Sequence, residues 1–103
     1  MVEWVVIVYD KPGSDRSACR AQHLAAIPAL VEAGKIVHAG AIYKGLVEGK
    51  PADFAGSHLT IVADTKDEVV EILKNDIFAK NNIWDVENAL IFPYGCAVRK
   101  EKQ

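Results

Sequence analysis

One stretch constrains this chain more than any other: EWVVIVYD, residues 3–10. It is a run of β-branched and aromatic side chains, and in an extended strand Trp4, Val6 and Val8 point one way while Val5, Ile7 and Tyr9 point the other. Both sides are apolar. A sheet built around such a strand must be covered on both faces, and the helices of one short chain cover only one face of an antiparallel sheet. The economical cover for the second face is another copy of the same sheet, packed face to face in a symmetric dimer. The alternative is a C-terminal segment folded back over it.

KPGSD ends the first run: Pro12 and Gly13 mark a turn, and Ser14 or Asp15 is placed to cap a helix. The apolar periodicity predicts that helix over residues 15–33, with Gly34 as its C-terminal cap. Pro28 falls inside it. Lacking an N–H and crowding the Leu24 carbonyl, Pro28 calls for a kink or a restart, at a cost of up to about 3 kcal/mol. KIVHAGAIY reads as a second strand, KGLVEGKPADFAG as a loop or ragged hairpin, and SHLTIVAD as a third strand. In TKDEVVEILKND, Thr65 is a capping residue with Glu68 at the third helical position, and Val69, Ile72 and Leu73 share a face. A broken stretch, IFAKNNIWD, leads to a fourth strand in VENALIFPY. The order β-α-β-β-α-β predicts an α+β, ferredoxin-like fold with a four-stranded antiparallel sheet. Neither a repeat nor a linker divides it, so residues 1–103 are read as one domain.

A chain of 103 residues with 50% apolar content supports one core without staples. The formal charge is −2 with charged residues interspersed, so no basic stripe is available for nucleic-acid phosphates and no polybasic patch for a membrane surface. The first apolar run is too short to span a bilayer and follows Glu3, where a secretion signal carries positive charge. A soluble, cytoplasmic protein is expected, in which Cys19 and Cys96 remain reduced thiols.

The segment RSACRAQHLAAIPALV, residues 16–31, carries the most chemistry. At about 100° per residue, Arg16, Arg20 and His23 share an arc with Ile27, Leu30 and Val31, so charged groups stand on a stripe otherwise suited to burial. Nearby guanidinium groups disfavour a charged imidazole, and a neutral imidazole serves as a general base, a role worth about 10²- to 10⁴-fold in rate. Arg16 and Arg20 are candidates to hold an anionic substrate and to stabilise enolate-like charge. A plainer reading stays open, in which the stripe pairs with loop carboxylates such as Asp10 or Asp15. His38 reads as a core or interface histidine alternating with Ile36 and Ile42, and His58 shares a strand face with Thr60 and Val62. The histidine spacing matches no metal motif, the glycines match no phosphate-cradling loop, and Cys19 reads as a buried thiol. No metal and no cofactor is expected.

Five stretches together resemble the YCII-related family over residues 3–98. VVIVYDKPGSDRSACRAQHL resembles that family's opening strand, aspartate loop and R-x-x-H-L helix, and EAGKIVHAGAIY its helix end and second strand. GSHLTIVADTKDEVVEIL resembles its G-S-containing third strand and second helix, NDIFAKNNIW its N-D-P-[FY] turn, and VENALIFPY its closing strand. The resemblance implies a ferredoxin-like domain dimerised through its sheets into an α/β barrel, with a pocket near the helix histidine. It also implies that His23 works with an acidic partner, in elimination or dehydrochlorination of ring compounds, or in isomerisation like that of muconolactone-isomerase-like proteins. AGKIVHAG, where that partner is expected, contains no carboxylate, and Glu32 points away from His23 on a helical wheel. Asp76, which matches the turn aspartate, and Asp10 are the remaining candidates. Ile77 stands in place of the turn's proline, and Ala41 in place of another.

The expected function is therefore that of a cofactor-independent lyase or isomerase acting on a small anionic cyclic or carbonyl compound. His23 is the expected base, Asp76 or Asp10 its orienter, and Arg16, Arg20, Tyr9 and Ser57 the substrate contacts. The alternative is a non-catalytic small-molecule-binding or accessory module. The expected partners are a second copy of the chain and a small-molecule ligand.

Overall fold

In the computed structural model, which describes residues 1–102, the two-faced run becomes an inner strand. β1 (Val2–Tyr9) lies between β3 (Lys50–Ala63) and β4 (Leu90–Tyr94), and β2 (Ile36–Val47) lies beyond β3. Every neighbouring pair is antiparallel. α1 (Arg20–Glu32) connects β1 to β2, while α2 (Lys66–Lys74) and the short α3 (Ile77–Lys80) connect β3 to β4. Each crossover leaves a gap that a strand of the other unit fills, which gives the ferredoxin-like arrangement.

Alternation along β1 sorts the two faces. Val6 pairs with Leu59 on one side and Ile91 on the other, and with Val8 and Ile61 these side chains form the floor of the core. Val69 and Leu73 of α2, Phe78 of α3, and Ile83 and Trp84 close the core from above. The opposite face carries Val5, Ile7, His58 and Thr60, with Leu90, Phe92 and Tyr94 of β4 largely exposed. The segment after β4 crosses part of that face: Arg99 pairs with Glu3, and Cys96 and Val98 border a small hollow beside His38 and Thr60. Folding back thus covers a corner of the open face and leaves Phe92 56% exposed.

Two helix ends follow from local chemistry. Gly34, at φ +75°, ends α1; its N–H bonds the Val31 carbonyl and that of Lys35 bonds Leu30, a Schellman motif. Thr65 caps α2 by accepting from the Glu68 N–H.

Several expectations need correction. The helix expected over residues 15–33 divides into a 3-10 turn, Arg16–Ala18, and α1 proper, because Asp15 caps the short turn by accepting from the Ser17 N–H. Pro28 lies within an uninterrupted α1, on its exposed side, so of the two readings the restart is excluded. Of the two readings of residues 44–56, the ragged hairpin is the one found: Glu48 and Gly49 close it at φ +50° and +77°, the left-handed pair that a tight two-residue turn requires, and the pairing shifts register between Ile42 and Tyr43. His38 does not share a face with Ile36. A register shift between them leaves Ile36 against Ile61 in the core and turns His38 toward Thr60 on the open face. The broken stretch holds α3, whose N-cap is Asp76.

Candidate active site

The short 3-10 turn determines where the first arginine goes. With Asp15 engaged by Ser17, Arg16 leads into the interior and is only 4% exposed. Bonds from Ser17, first from its hydroxyl and then from its backbone, hold the Asp15 carboxyl below the usual carboxylate range. The Arg16 guanidinium grips Asp10 as a fork, Nε donating to Oδ2 at 2.8 Å and Nη2 to Oδ1 at 2.6 Å. Nη2 also donates to the Ser57 hydroxyl at 3.1 Å. Two rings sit against this group, with the centroids of Phe54 and Phe78 each 4.8 Å from its central carbon. Phe54 reaches that position where the β2–β3 register shifts between Ile42 and Tyr43, next to Asp53 at φ +62°.

His23 lies one turn into α1 and is 8% exposed. Its Nδ1 is 2.8 Å and 2.9 Å from the two carboxylate oxygens of Asp76. The same Asp76 Oδ1 accepts from the Phe78 N–H at 2.9 Å, so one side chain caps α3 and holds the imidazole. Phe78 stacks on the ring, and Trp84 meets it edge-on at 5.4 Å. A carboxylate only accepts, so Nδ1 carries the proton and the lone pair of the neutral ring lies on Nε2. Among the described residues Nε2 has no partner, and no buried side-chain nitrogen or oxygen lacks one. Nε2 therefore opens onto the adjoining cavity.

That cavity, about 240 Å³, lies between α1 and the β2–β3 sheet, bordered by Arg16, Arg20, His23, Tyr43, Ser57 and Trp84. On the far side of Arg16 a second hollow, about 480 Å³, lies between the KPGSD loop and the hairpin, where Lys11, Asp15, Lys44 and Asp53 are found. Trp84 donates its indole N–H to Ser57 at 3.2 Å.

The structure thus brings His23, Asp76, Arg16, Arg20 and Ser57 together. Asp10 is in the cluster but serves Arg16, leaving Asp76 alone against His23. Tyr9 is placed elsewhere: the alternation that turns Val8 into the core turns Tyr9 to the open face, 49% exposed. His38 and His58 meet on that same face, ring centroids 5.2 Å apart. Burial, and then the neighbouring His38, push His58 below its ordinary value. Cys19 is buried and Cys96 is half-buried, both as free thiols. The aromatic lining of Phe54, Phe78 and Trp84 was not anticipated; the Trp in NNIWD, a large side chain in a stretch without periodicity, was the available signal.

A family model described as the YCII-related domain matches residues 2–92. The chain belongs to the YCII-related family. Among its curated relatives is aspercryptin biosynthesis cluster protein B of Emericella nidulans, 29% identical over 102 residues, an alignment that covers 95% of this YCII-related chain but only 65% of that relative. Fusaric acid biosynthesis protein 2 of Gibberella fujikuroi is 28% identical over 95 residues, covering 89% of this chain and 91% of that one. Among solved structures, 5-chloro-2-hydroxyhydroquinone dehydrochlorinase of Burkholderia phenoliruptrix AC1100, in complex with 2,5-dihydroxybenzoquinone, superposes with a TM-score of 0.74. It is 26% identical, with 90% of this chain and 93% of that one covered.

Proposed function

We propose that this YCII-related protein is a lyase or isomerase that removes a proton from carbon in a small oxygenated ring compound, with His23 as the base. The observation that carries this reading is the Asp76–His23 pair: Asp76 accepts from Nδ1, and the opposite nitrogen is left open to a cavity. In the proposed step the substrate C–H bond breaks, the proton passes to Nε2, and the electron pair enters the ring as an enolate, its charge on oxygen. Asp76 then faces a newly charged imidazolium and stabilises it. The pair can return the proton at another carbon, or a leaving group can depart from the enolate. Proton transfer of this kind draws on side chains alone, and Asp10, already bound by Arg16, takes no part in orienting His23.

The size and lining of the cavity support a single-ring ligand, because about 240 Å³ is below the usual range of drug-sized pockets and Phe78 and Trp84 provide flat apolar walls. Relatives from biosynthetic clusters and a neighbour that acts on a chlorinated hydroquinone support the same class. The reading includes a homodimer formed across the open sheet face, which leaves the cavity on the other side of the sheet accessible.

The decisive experiment follows His23→Gln on a panel of ring ketones, quinols and chlorinated quinols. Turnover falls by about 10²-fold or more while ligand affinity stays within a few-fold, since glutamine keeps polarity without the base. Undiminished turnover in the variant would rule this mechanism out, and binding without turnover in the parent protein would favour the non-catalytic module.

A further inference from the structure

Ser57 has one hydrogen-bonding capacity that none of the described residues uses. It stands on β3 opposite Val8 and is 4% exposed. Two groups converge on its oxygen, Arg16 Nη2 at 3.1 Å and Trp84 Nε1 at 3.2 Å. A guanidinium and an indole N–H are donors only, so each takes one lone pair of the hydroxyl. With Cβ and two donors occupying three of its four tetrahedral directions, the oxygen has one direction left for its hydrogen. No protein acceptor meets that O–H among the described residues, yet Ser57 borders the cavity onto which His23 opens.

The hydrogen bonds of Arg16 give it a role other than the one expected. Its Nε hydrogen and both Nη2 hydrogens are committed to Asp10 and Ser57, which leaves the two hydrogens of Nη1 as its uncommitted donors, and the Asp10 carboxylate offsets its charge. Arg16 is thereby less an anchor for a free anion than a group that pins the Ser57 hydroxyl and polarises it.

We infer that Ser57 is an obligate hydrogen-bond donor into the cavity, and that it selects ligands presenting a ring carbonyl or enolate oxygen at that point. The inference rests on the reading of this cavity as the substrate site and adds the group that receives the developing charge. As the proton moves from carbon to His23 Nε2, the C–H electron pair becomes part of the enolate and negative charge grows on the oxygen. A donor already fixed in place bonds the enolate more strongly than the carbonyl and so favours the transition state. An O–H whose oxygen accepts from two donors, one of them charged, is a stronger donor than an isolated serine.

The test uses the whole chain with 2,5-dihydroxybenzoquinone as the probe and p-xylene as a ring of similar shape without an acceptor. Quinone and xylene affinities are read by calorimetry, and the carbonyl stretch of the bound quinone by difference infrared spectroscopy. In the parent protein a quinone carbonyl shifts to lower frequency on binding. Ser57→Ala loses that shift and weakens quinone binding about tenfold with xylene binding not weakened, while Ser57→Thr, which keeps a hydroxyl, retains the shift. Because Ser57→Ala leaves two buried donors unpaired and can fail to fold, the parent spectrum is decisive by itself: a bound quinone with an unshifted carbonyl overturns the inference. So does absence of quinone binding at millimolar concentration, or an alanine variant that binds the quinone as well as the parent. His23→Gln separates the two proposals, because a retained carbonyl shift with unchanged turnover removes the base while leaving Ser57 in its role.

Discussion

The imidazole of His23 lies flat on the ring of Phe78, with centroids 4.0 Å apart and planes 14° from parallel. Phe78 follows the residue that caps α3 by only two positions, so one capped turn supplies both the surface that fixes the plane of the imidazole and the carboxylate that fixes its tautomer. The imidazole is held by a tertiary contact between two helices, and neither helix alone would orient it.

Asp76→Asn separates the two duties of that side chain. Asparagine caps a helix about as well as aspartate, so α3 persists and stability changes by no more than about 1 kcal/mol. The amide no longer dictates which ring nitrogen carries the proton and does not offset an imidazolium. Turnover on any substrate found for the parent is expected to fall about 10²- to 10⁴-fold at unchanged fold. Kinetics beside a urea titration check this, and a variant with parental turnover would show that Asp76 serves only as a cap.

How much of this was legible in the sequence depends on the distance over which each feature is determined. The first strand, the stop at Gly34 and the cap at Thr65 are written within a few neighbouring residues, and each is found as read. The Arg16, Arg20 and His23 cluster was visible as a helical stripe, although Arg16 reaches the site from a separate turn because Asp15 is occupied by Ser17. The two readings of that stripe divide between its members: Arg16 pairs with loop carboxylate Asp10, and His23 does not. The pairing of His23 with Asp76 spans 53 positions and depends on how two crossovers pack, which no local pattern encodes. Phe54 is hidden for a related reason. A bulge reverses which side of a strand a residue faces, and here it accompanies a left-handed Asp53 that nothing in PADFAG announces.

Gly56 precedes Ser57 because β3 passes too close to β1 for any side chain at that point. A Cβ on Gly56 would lie 2.3 Å from the Val8 carbonyl oxygen and 2.9 Å from the Tyr9 Cα, both backbone atoms that cannot swing aside. Gly56→Ala is expected to destabilise the fold by about 1–3 kcal/mol, at the upper end because strand pairing must open. It should also weaken ligand binding, since the neighbouring Ser57 moves with the strand. A urea midpoint equal to that of the parent would mean that the two strands part more easily than this contact implies.

Acid should destabilise the protein through His58. Burial and the adjacent His38 hold its folded value below the ordinary 6.5, so the unfolded chain takes up the proton first as pH falls. The unfolded state then binds more protons than the folded one, and stability declines as pH drops below about 6.5 until the folded imidazole also titrates. Above that pH the contribution is fully present. Urea midpoints measured from pH 7.5 down to pH 5 should fall, and His58→Gln should flatten the part of the slope that lies below pH 6.5. A slope unaltered in the variant would assign the acid sensitivity to other groups.

The open sheet face yields the last expectation. Phe92 is 56% exposed, Leu90 43% and Tyr94 42%, all on one strand, with Tyr9 of β1 at 49% nearby. None of them belongs to the core cluster under the helices, so changing one leaves the interior intact. If a second copy packs on this face as proposed, Phe92→Asp introduces a carboxylate into a dry contact between sheets, with a desolvation cost of several kcal/mol per chain. Light scattering on a sizing column should then give about twice the 11.2 kDa chain mass for the parent and the single-chain mass for the variant. The far-ultraviolet circular dichroism of the variant should match the parent, because the sheet pairs through backbone bonds that the substitution does not touch. A variant that stays dimeric would place the contact elsewhere, and a parent that elutes as a single chain would leave this face to the segment after β4, which already joins Arg99 to Glu3 across it.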